Sequence, residues 1–222
     1  MSGLTARRTI KKGQLPKELS ASDVQALAQP FDGRFFYFPR SSSHAACIRD
    51  GAVAAYKAQS RRDDAQRELS HWMRLGNGEA REKRDGLTSD SMEVQGLTGW
   101  FLRTFMDRES VMSDGFRTRG VDLTAELADQ GAGWVIITSP GAGPADLLET
   151  GRRFERMALL ATELKLAIHP MTQQIEEEKW RRDIAGRHAP DMLPQFILRV
   201  GYVDEYPAPV SLRRPVSWFL RS

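Results

Sequence analysis

Arg7-Arg8-Thr9-Ile10-Lys11-Lys12 sets four cations and a hydroxyl within six positions. Arginine presents a planar fork of donors that matches the oxygens of a phosphate, and a threonine hydroxyl adds another donor, so the cluster is suited to holding an anion. The same residues without an anion make a solvated basic segment. His44 and Cys47, one helical turn apart, invite a base and nucleophile reading, but free cysteine is mostly a small buried hydrophobe and no third group that would orient such a pair is evident. Ser139-Pro140-Gly141-Ala142-Gly143-Pro144 is a glycine-bearing turn between a strand and a helix, a geometry that can cradle phosphate on a helix N-terminus. It lacks the third glycine of the dinucleotide fingerprint and the Lys-Ser/Thr of a P-loop, and Asp146 sets a carboxylate where an anion would sit. An ordinary turn, with Asp146 favouring the helix start, is the better reading.

The elements that must position these groups begin with a spine. From Ala145 to Gln173 the apolar residues Leu147, Leu148, Phe154, Met157, Ala158, Leu160, Ala161, Leu164, Ala167 and Ile168 recur at helical spacing, which predicts one helix of roughly 35 Å, started by Pro144 and stopped by Pro170. Before it, Trp134 to Thr138 reads as a central strand; after it, Pro194 to Tyr202 reads as a second. Ser20 to Asp23 caps a short helix to Ala28, Phe35 to Phe38 predicts a buried strand, and Ser41 to Ser43 cap a helix with Ala46, Cys47, Val53, Ala54 and Tyr56 near its apolar side. Arg61 to Arg74 is a further helix with Leu69, Trp72 and Met73 inside, and Val94 to Met106 another. Asp107 to Gly120 reads as irregular, and Asp122 to Ala128 as a short helix. Ile175, Trp180 and Ile184 predict a helix that Gly186 ends. The polar, glycine-flanked Gly76 to Gly86 cannot bury a core and reads as a mobile loop, either a disordered connector or a lid over a ligand. Strands and helices mix without regular βαβ alternation, which predicts an α+β fold in a single domain over 1–222, with the lid at 76–90.

Composition narrows the classes. The 222 residues are 41% hydrophobic, enough for a real core, and the formal charge of +3 arises from 32 basic and 29 acidic residues mixed along the chain, so no nucleic-acid arm stands out. A single cysteine, Cys47, excludes an intrachain disulfide framework and argues against structural zinc. Met1 to Thr5 shows no signal-peptide core and no run approaches the ~20 apolar residues of a membrane span, so a cytoplasmic protein is expected. The closing Trp218-Phe219 is too apolar to float in water and must dock on something, for which a partner subunit is a reasonable surface.

Taken together, the ordered set resembles the FMN-dependent nitroreductase family. Arg7-Arg8-Thr9-Ile10-Lys11 resembles its opening Arg-Arg-Ser/Thr-x-Arg/Lys motif. Met157 to Leu164 resembles its Leu/Ala/Thr-rich central helix, Pro170 to Gln173 the turn that follows, Pro194 to Tyr202 its late strand, and Arg213-Arg214-Pro215 its closing basic pair. The family's Asn-x-Gln-Pro-Trp segment has no counterpart between Leu27 and Ser43. The Arg-Glu-Leu-x-x-Trp stretch from Arg67 to Trp72, with Asp85-Gly86-Leu87, resembles the Acg-like branch, in which a lid covers the flavin.

The resemblance implies a mostly antiparallel central sheet flanked by helices, an intertwined homodimer, and bound FMN carrying electrons from NAD(P)H to a small organic acceptor. It implies FMN contacts from Arg7, Arg8, Thr9, Lys11, Thr172, Gln173, Arg213 and Arg214. The flavin would do the redox chemistry, so no catalytic side chain and no metal are expected. A flavin-sequestering protein with an occluded ring and a cofactor-free interaction protein are the alternatives; neither nucleic acid nor membrane is an expected partner.

Overall fold

The computed structural model describes residues 2–94, 107–190, 192–210 and 212–220. Along the chain, α1 (Ser2–Ala6) leads through the basic segment to α2 (Ala21–Ala28), β1 (Phe35–Pro39) and α3 (Ser43–Arg61). There follow α4 (Asp63–Trp72), β2 (Met73–Arg74), α5 (Asn77–Lys83), β3 (Leu87–Thr88), α6 (Arg108–Met112) and α7 (Asp114–Ala128). Next come β4 (Gly133–Ser139), α8 (Pro144–Glu163), β5 (Leu166–Pro170), α9 (Gln173–Glu176), α10 (Glu178–His188) and β6 (Leu193–Tyr202), before a 3-10 turn at Val216–Trp218. The chain groups into two compact units, Met1–Gln59 with Val121–Ala208 and Ser60–Gly120 with Pro209–Ser222. The helix expected over Val94 to Met106 lies, beyond its first residue, outside the described residues.

The first unit is built on an antiparallel sheet in the order β1-β4-β6-β5. The run Trp134-Val135-Ile136-Ile137 makes β4 a strand buried on both faces, and the period of two along it sorts its side chains. Val135 and Ile137, with Leu198 and Val200 of β6, pack against Met157, Ala158 and Ala161 of α8. Trp134 and Ile136, with Ile197, face Ala45, Ile48 and Ala52 of α3 and Ile184 of α10. Helices therefore cover both faces, in agreement with the expected α+β architecture. At the start of β4 the backbones crowd: Gly131 holds φ at 94°, and a Cβ there would meet Gln14 Oε1 and the Val200 carbonyl at 2.7 Å.

The structure corrects several boundaries and faces. The spine helix stops at Glu163, not near Pro170: Lys165 takes a left-handed conformation at φ 54°, and Leu166–Pro170 becomes an edge strand paired with β6. Its 20 residues span roughly 30 Å. β1 is half-buried because it lies at the other edge of the sheet. The buried face of α3 is Ala45, Ile48, Ala52 and Ala55, because small residues let the helix approach Trp134, whereas Ala54 is exposed. Asp107 to Gly120 is helical; Asp107 caps α6 by accepting from the Ser110 amide at 2.8 Å, a signal carried by one short polar side chain. Gly186 lies inside α10.

In the second unit, α4 packs on α6, with Gln66 donating to the Val111 carbonyl at 2.7 Å. The segment read as a loop from Gly76 to Gly86 holds α5 instead, ordered around buried Arg74, whose guanidinium pairs with Asp85 at 2.7 Å. Trp72, expected inside, is 45% exposed and lies over that guanidinium at 5.8 Å.

Candidate functional site

Within the first unit, Arg7, Arg8 and Thr9 line a small cleft whose remaining walls are Phe154 and Ala158 of α8, Leu166, Ile168 and Pro170 of β5, and Tyr206. The basic segment reaches β5 directly, since the Ile10 amide meets the Ile168 carbonyl at 3.4 Å. Tyr206 fixes the cationic end: its hydroxyl accepts from the Arg8 amide at 3.3 Å, donates to the Arg8 carbonyl at 3.1 Å, and accepts from Thr162 at 3.2 Å. The cleft thus has one cationic rim and an apolar wall, the division of labour that a phosphate joined to a flat ring system requires.

The cations are held by exchangeable partners. Arg7 Nε lies 2.9 Å from Glu155, with both side chains a third or more exposed. Such a pair is worth about 0 to 1 kcal/mol, less than a phosphate contact offers, so an incoming anion can displace the carboxylate. Arg8 Nη1 donates to the Ala208 carbonyl at 2.8 Å.

The other residues expected to meet the cofactor fall in two places. The Lys11 carbonyl accepts from Arg199. Thr172 and Gln173 follow β5 after Met171; the Thr172 hydroxyl donates to Glu176 at 3.1 Å. Among the described residues, Gln173 Oε1 is buried with no hydrogen-bond donor. Leaving such an atom unpaired costs about 1 to 3 kcal/mol, and a ligand N–H would satisfy it. The cationic rim of the cleft suits a phosphate, and Gln173 Oε1, outside the cleft lining, is an acceptor open to an N–H donor. Arg213 and Arg214 belong to the second unit, where Arg214 donates to the Lys83 carbonyl at 3.1 Å and pairs with Asp85.

Tyr206, Glu155 and Arg199 carry no signal in the sequence, because their contacts with the basic segment, to Arg8, Arg7 and Lys11, span more than a hundred residues. The other two candidate constellations dissolve. His44 faces His188 rather than Cys47, and Cys47 Sγ accepts from Arg187 at 3.8 Å. The turn after β4 is filled from within, since a Cβ at Gly141 would collide with the Asp146 carboxylate. Among the described residues, no group of three His, Cys, Asp or Glu side chains is placed to hold a metal.

No protein-family profile matches the chain, and no curated protein matches it in sequence. Solved structures match its fold over nearly its whole length. The FMN and NADPH-dependent nitroreductase NfnB from Sphigopyxis sp. strain HMH has a TM-score of 0.59 at 15% identity, covering 100% of this chain and 97% of its own. The FMN-dependent nitroreductase NfnB from Mycobacterium smegmatis, in complex with NADPH, has a TM-score of 0.58 at 12% identity, covering 99% and 96%. A nitroreductase with bound FMN from Bacteroides fragilis has a TM-score of 0.52 at 12% identity, covering 96% and 92%. The chain has a nitroreductase-like fold.

Proposed function

We propose that the chain binds FMN and passes electrons from NAD(P)H to a small organic acceptor. The observation that carries this reading is the convergence of Arg7, Arg8 and Thr9 on one cleft with Pro170, in a fold whose solved neighbours include FMN-bound and NADPH-bound nitroreductases. Bound FMN would supply the redox chemistry, taking up a hydride and passing electrons on. The side chains would do the rest: Arg7 and Arg8 neutralise phosphate, Thr9 donates its hydroxyl, Phe154, Ile168 and Pro170 exclude water, and Gln173 Oε1 accepts a ring N–H. Roles for Lys11, Thr172, Arg213 and Arg214 rest on the sequence resemblance alone.

The same resemblance supports an Acg-like assignment, a gating role for 76–90 and a homodimer. The exposed Val216, Trp218, Phe219 and Leu220 give a second chain something to cover. Among the described residues no helix is long and apolar enough to cross a membrane, and with one cysteine in the sequence a reducing cytoplasm is the proposed location. The direct test is titration of the purified chain with FMN, followed by anaerobic addition of NADPH. Bleaching of the bound flavin supports the reading, and absence of FMN binding defeats it.

A further inference from the structure

Tyr206 lines the cleft beside Arg7, Arg8 and Thr9, and its hydroxyl meets the backbone of the middle one. A phenol hydroxyl has one proton to donate and two lone pairs. The proton goes to the Arg8 carbonyl at 3.1 Å, one lone pair takes the Arg8 amide at 3.3 Å, and the Thr162 hydroxyl of α8 faces the other at 3.2 Å. Holding both backbone groups of one residue is what a paired antiparallel strand does. Residues 7–10 belong to no helix or strand, so one side chain here takes the place of a neighbouring strand.

The ring adds a second pin. Two residues beyond Arg8, the Ile10 side chain is buried with Ala167 of β5 and Val203, and Tyr206 packs against that group. The same aromatic residue therefore holds the basic segment at Arg8 through its hydroxyl and at Ile10 through its ring, with Thr9 between. Two residues beyond Tyr206, the Ala208 carbonyl accepts from Arg8 Nη1 at 2.8 Å. An irregular segment fixed in this way has lost its conformational entropy on folding, so an anion that binds there does not have to order it.

We propose that Tyr206 is a positioning residue whose hydroxyl presets the Arg7-Arg8-Thr9 segment for a phosphate, and so raises the affinity of the cleft for a phosphorylated ligand above that for the same ligand without its phosphate. The inference rests on the FMN reading, which supplies the matched pair of ligands, FMN and riboflavin. Because the proton and lone pairs of the hydroxyl are taken up by the protein, it acts through the segment and not by a bond of its own to the ligand.

The test is titration of wild type and Tyr206→Phe with FMN and with riboflavin, read by flavin fluorescence. Phenylalanine keeps the ring against Ile10 and removes only the hydroxyl. The preference for FMN over riboflavin should be about tenfold smaller in Tyr206→Phe, the order expected for the loss of two ordinary hydrogen bonds. An unchanged preference overturns the inference, even if both affinities fall together, since a general loosening of the fold would give that result. Equal wild-type affinity for the two flavins overturns it as well and leaves flavin binding intact. A wild-type chain that binds neither flavin overturns the FMN reading and this inference with it. Should Tyr206→Phe fail to fold, hydrogen exchange in the ligand-free wild type decides: an Arg8 amide slowed about tenfold or more relative to an unstructured chain supports the clamp, and one slowed less overturns it.

Discussion

The imidazoles of His44 and His188 face each other with 2.9 Å between their Nδ1 atoms, joining the start of α3 to the end of α10. Phe38 of β1 lies against both, stacked on His44 at 5.4 Å between centroids and edge-on to His188 at 5.5 Å. At that separation one nitrogen donates and the other accepts, so two charged rings cannot share the arrangement. Burial first, then His44 and Arg187, lower the His188 pKa to about 4, and Cys47 stands beside Arg187.

This pairing predicts a pH-dependent stability with a definite sign. The folded pKa lies below the ordinary 6.5, so as pH falls the unfolded chain takes up the proton first. The contribution of His188 is whole above about pH 7 and is lost progressively down to about pH 4, by roughly 1 to 2 kcal/mol once solvent screening is allowed for. His169 is lowered too and acts in the same sense. Urea unfolding at pH 7.5, 5.5 and 4.5 should give a shallower pH slope for His188→Phe than for wild type; equal slopes would refute the assignment.

The cationic rim predicts opposite effects from neighbouring substitutions. Arg7→Ala with Thr9→Ala should weaken FMN binding by about a hundredfold, since charge-assisted contacts to phosphate are worth ~1.5 to 3 kcal/mol each. Glu155→Gln should tighten it severalfold by releasing Arg7 from its 2.9 Å ion pair. Fluorescence titration reads both, and a Glu155→Gln variant that binds more weakly would show that the carboxylate serves the site rather than competes for it.

Asp85 anchors the segment that carries α5. Its partner Arg74 is 3% exposed at the side chain, so Asp85→Ala leaves a buried guanidinium short of its main counter-charge and should cost about 3 to 5 kcal/mol of local stability. Hydrogen exchange should rise across 74–88 while β4 and β6 stay protected. If this segment gates the flavin, the same variant should reduce a bulky nitroaromatic faster than wild type at saturating NADPH. Unchanged turnover beside faster exchange would separate order in this segment from gating.

Solution mass tests the exposed tail. Trp218 at 53% exposure and Phe219 at 67% are large apolar groups for a free surface, and light scattering should report twice the 25.0 kDa of one chain. Truncation after Pro209 should lower both dimer content and FMN retention. A monomer at micromolar concentration with the tail intact contradicts the dimer.

Where the sequence repeated one physical signal over several residues, the structure was legible in it. The β-branched and aromatic runs at Trp134 to Ile137 and Phe196 to Val200 became the two central strands, and Ser20 capped α2 by accepting from the Asp23 amide at 3.1 Å. Strand β5 was hidden because Leu166, Ala167 and Ile168 continue the apolar spacing of α8, and the switch is made at Lys165 with no glycine to mark it. Tertiary packing overrode local pattern there, pairing the segment with β6. The cations of the cleft could be found from their own spacing. Tyr206, Glu155 and Arg199 could not, because what makes them relevant is contact across the chain and not any motif around them.

Tyr206 also sets an order of events during synthesis. Its hydroxyl grips both backbone groups of Arg8 across 198 positions, so the segment with Arg7 and Thr9 is synthesised long before the residue that clamps it. A chain that stops before Tyr206 lacks this clamp permanently. The cationic side of the cleft therefore takes its final form only after Tyr206 has been made.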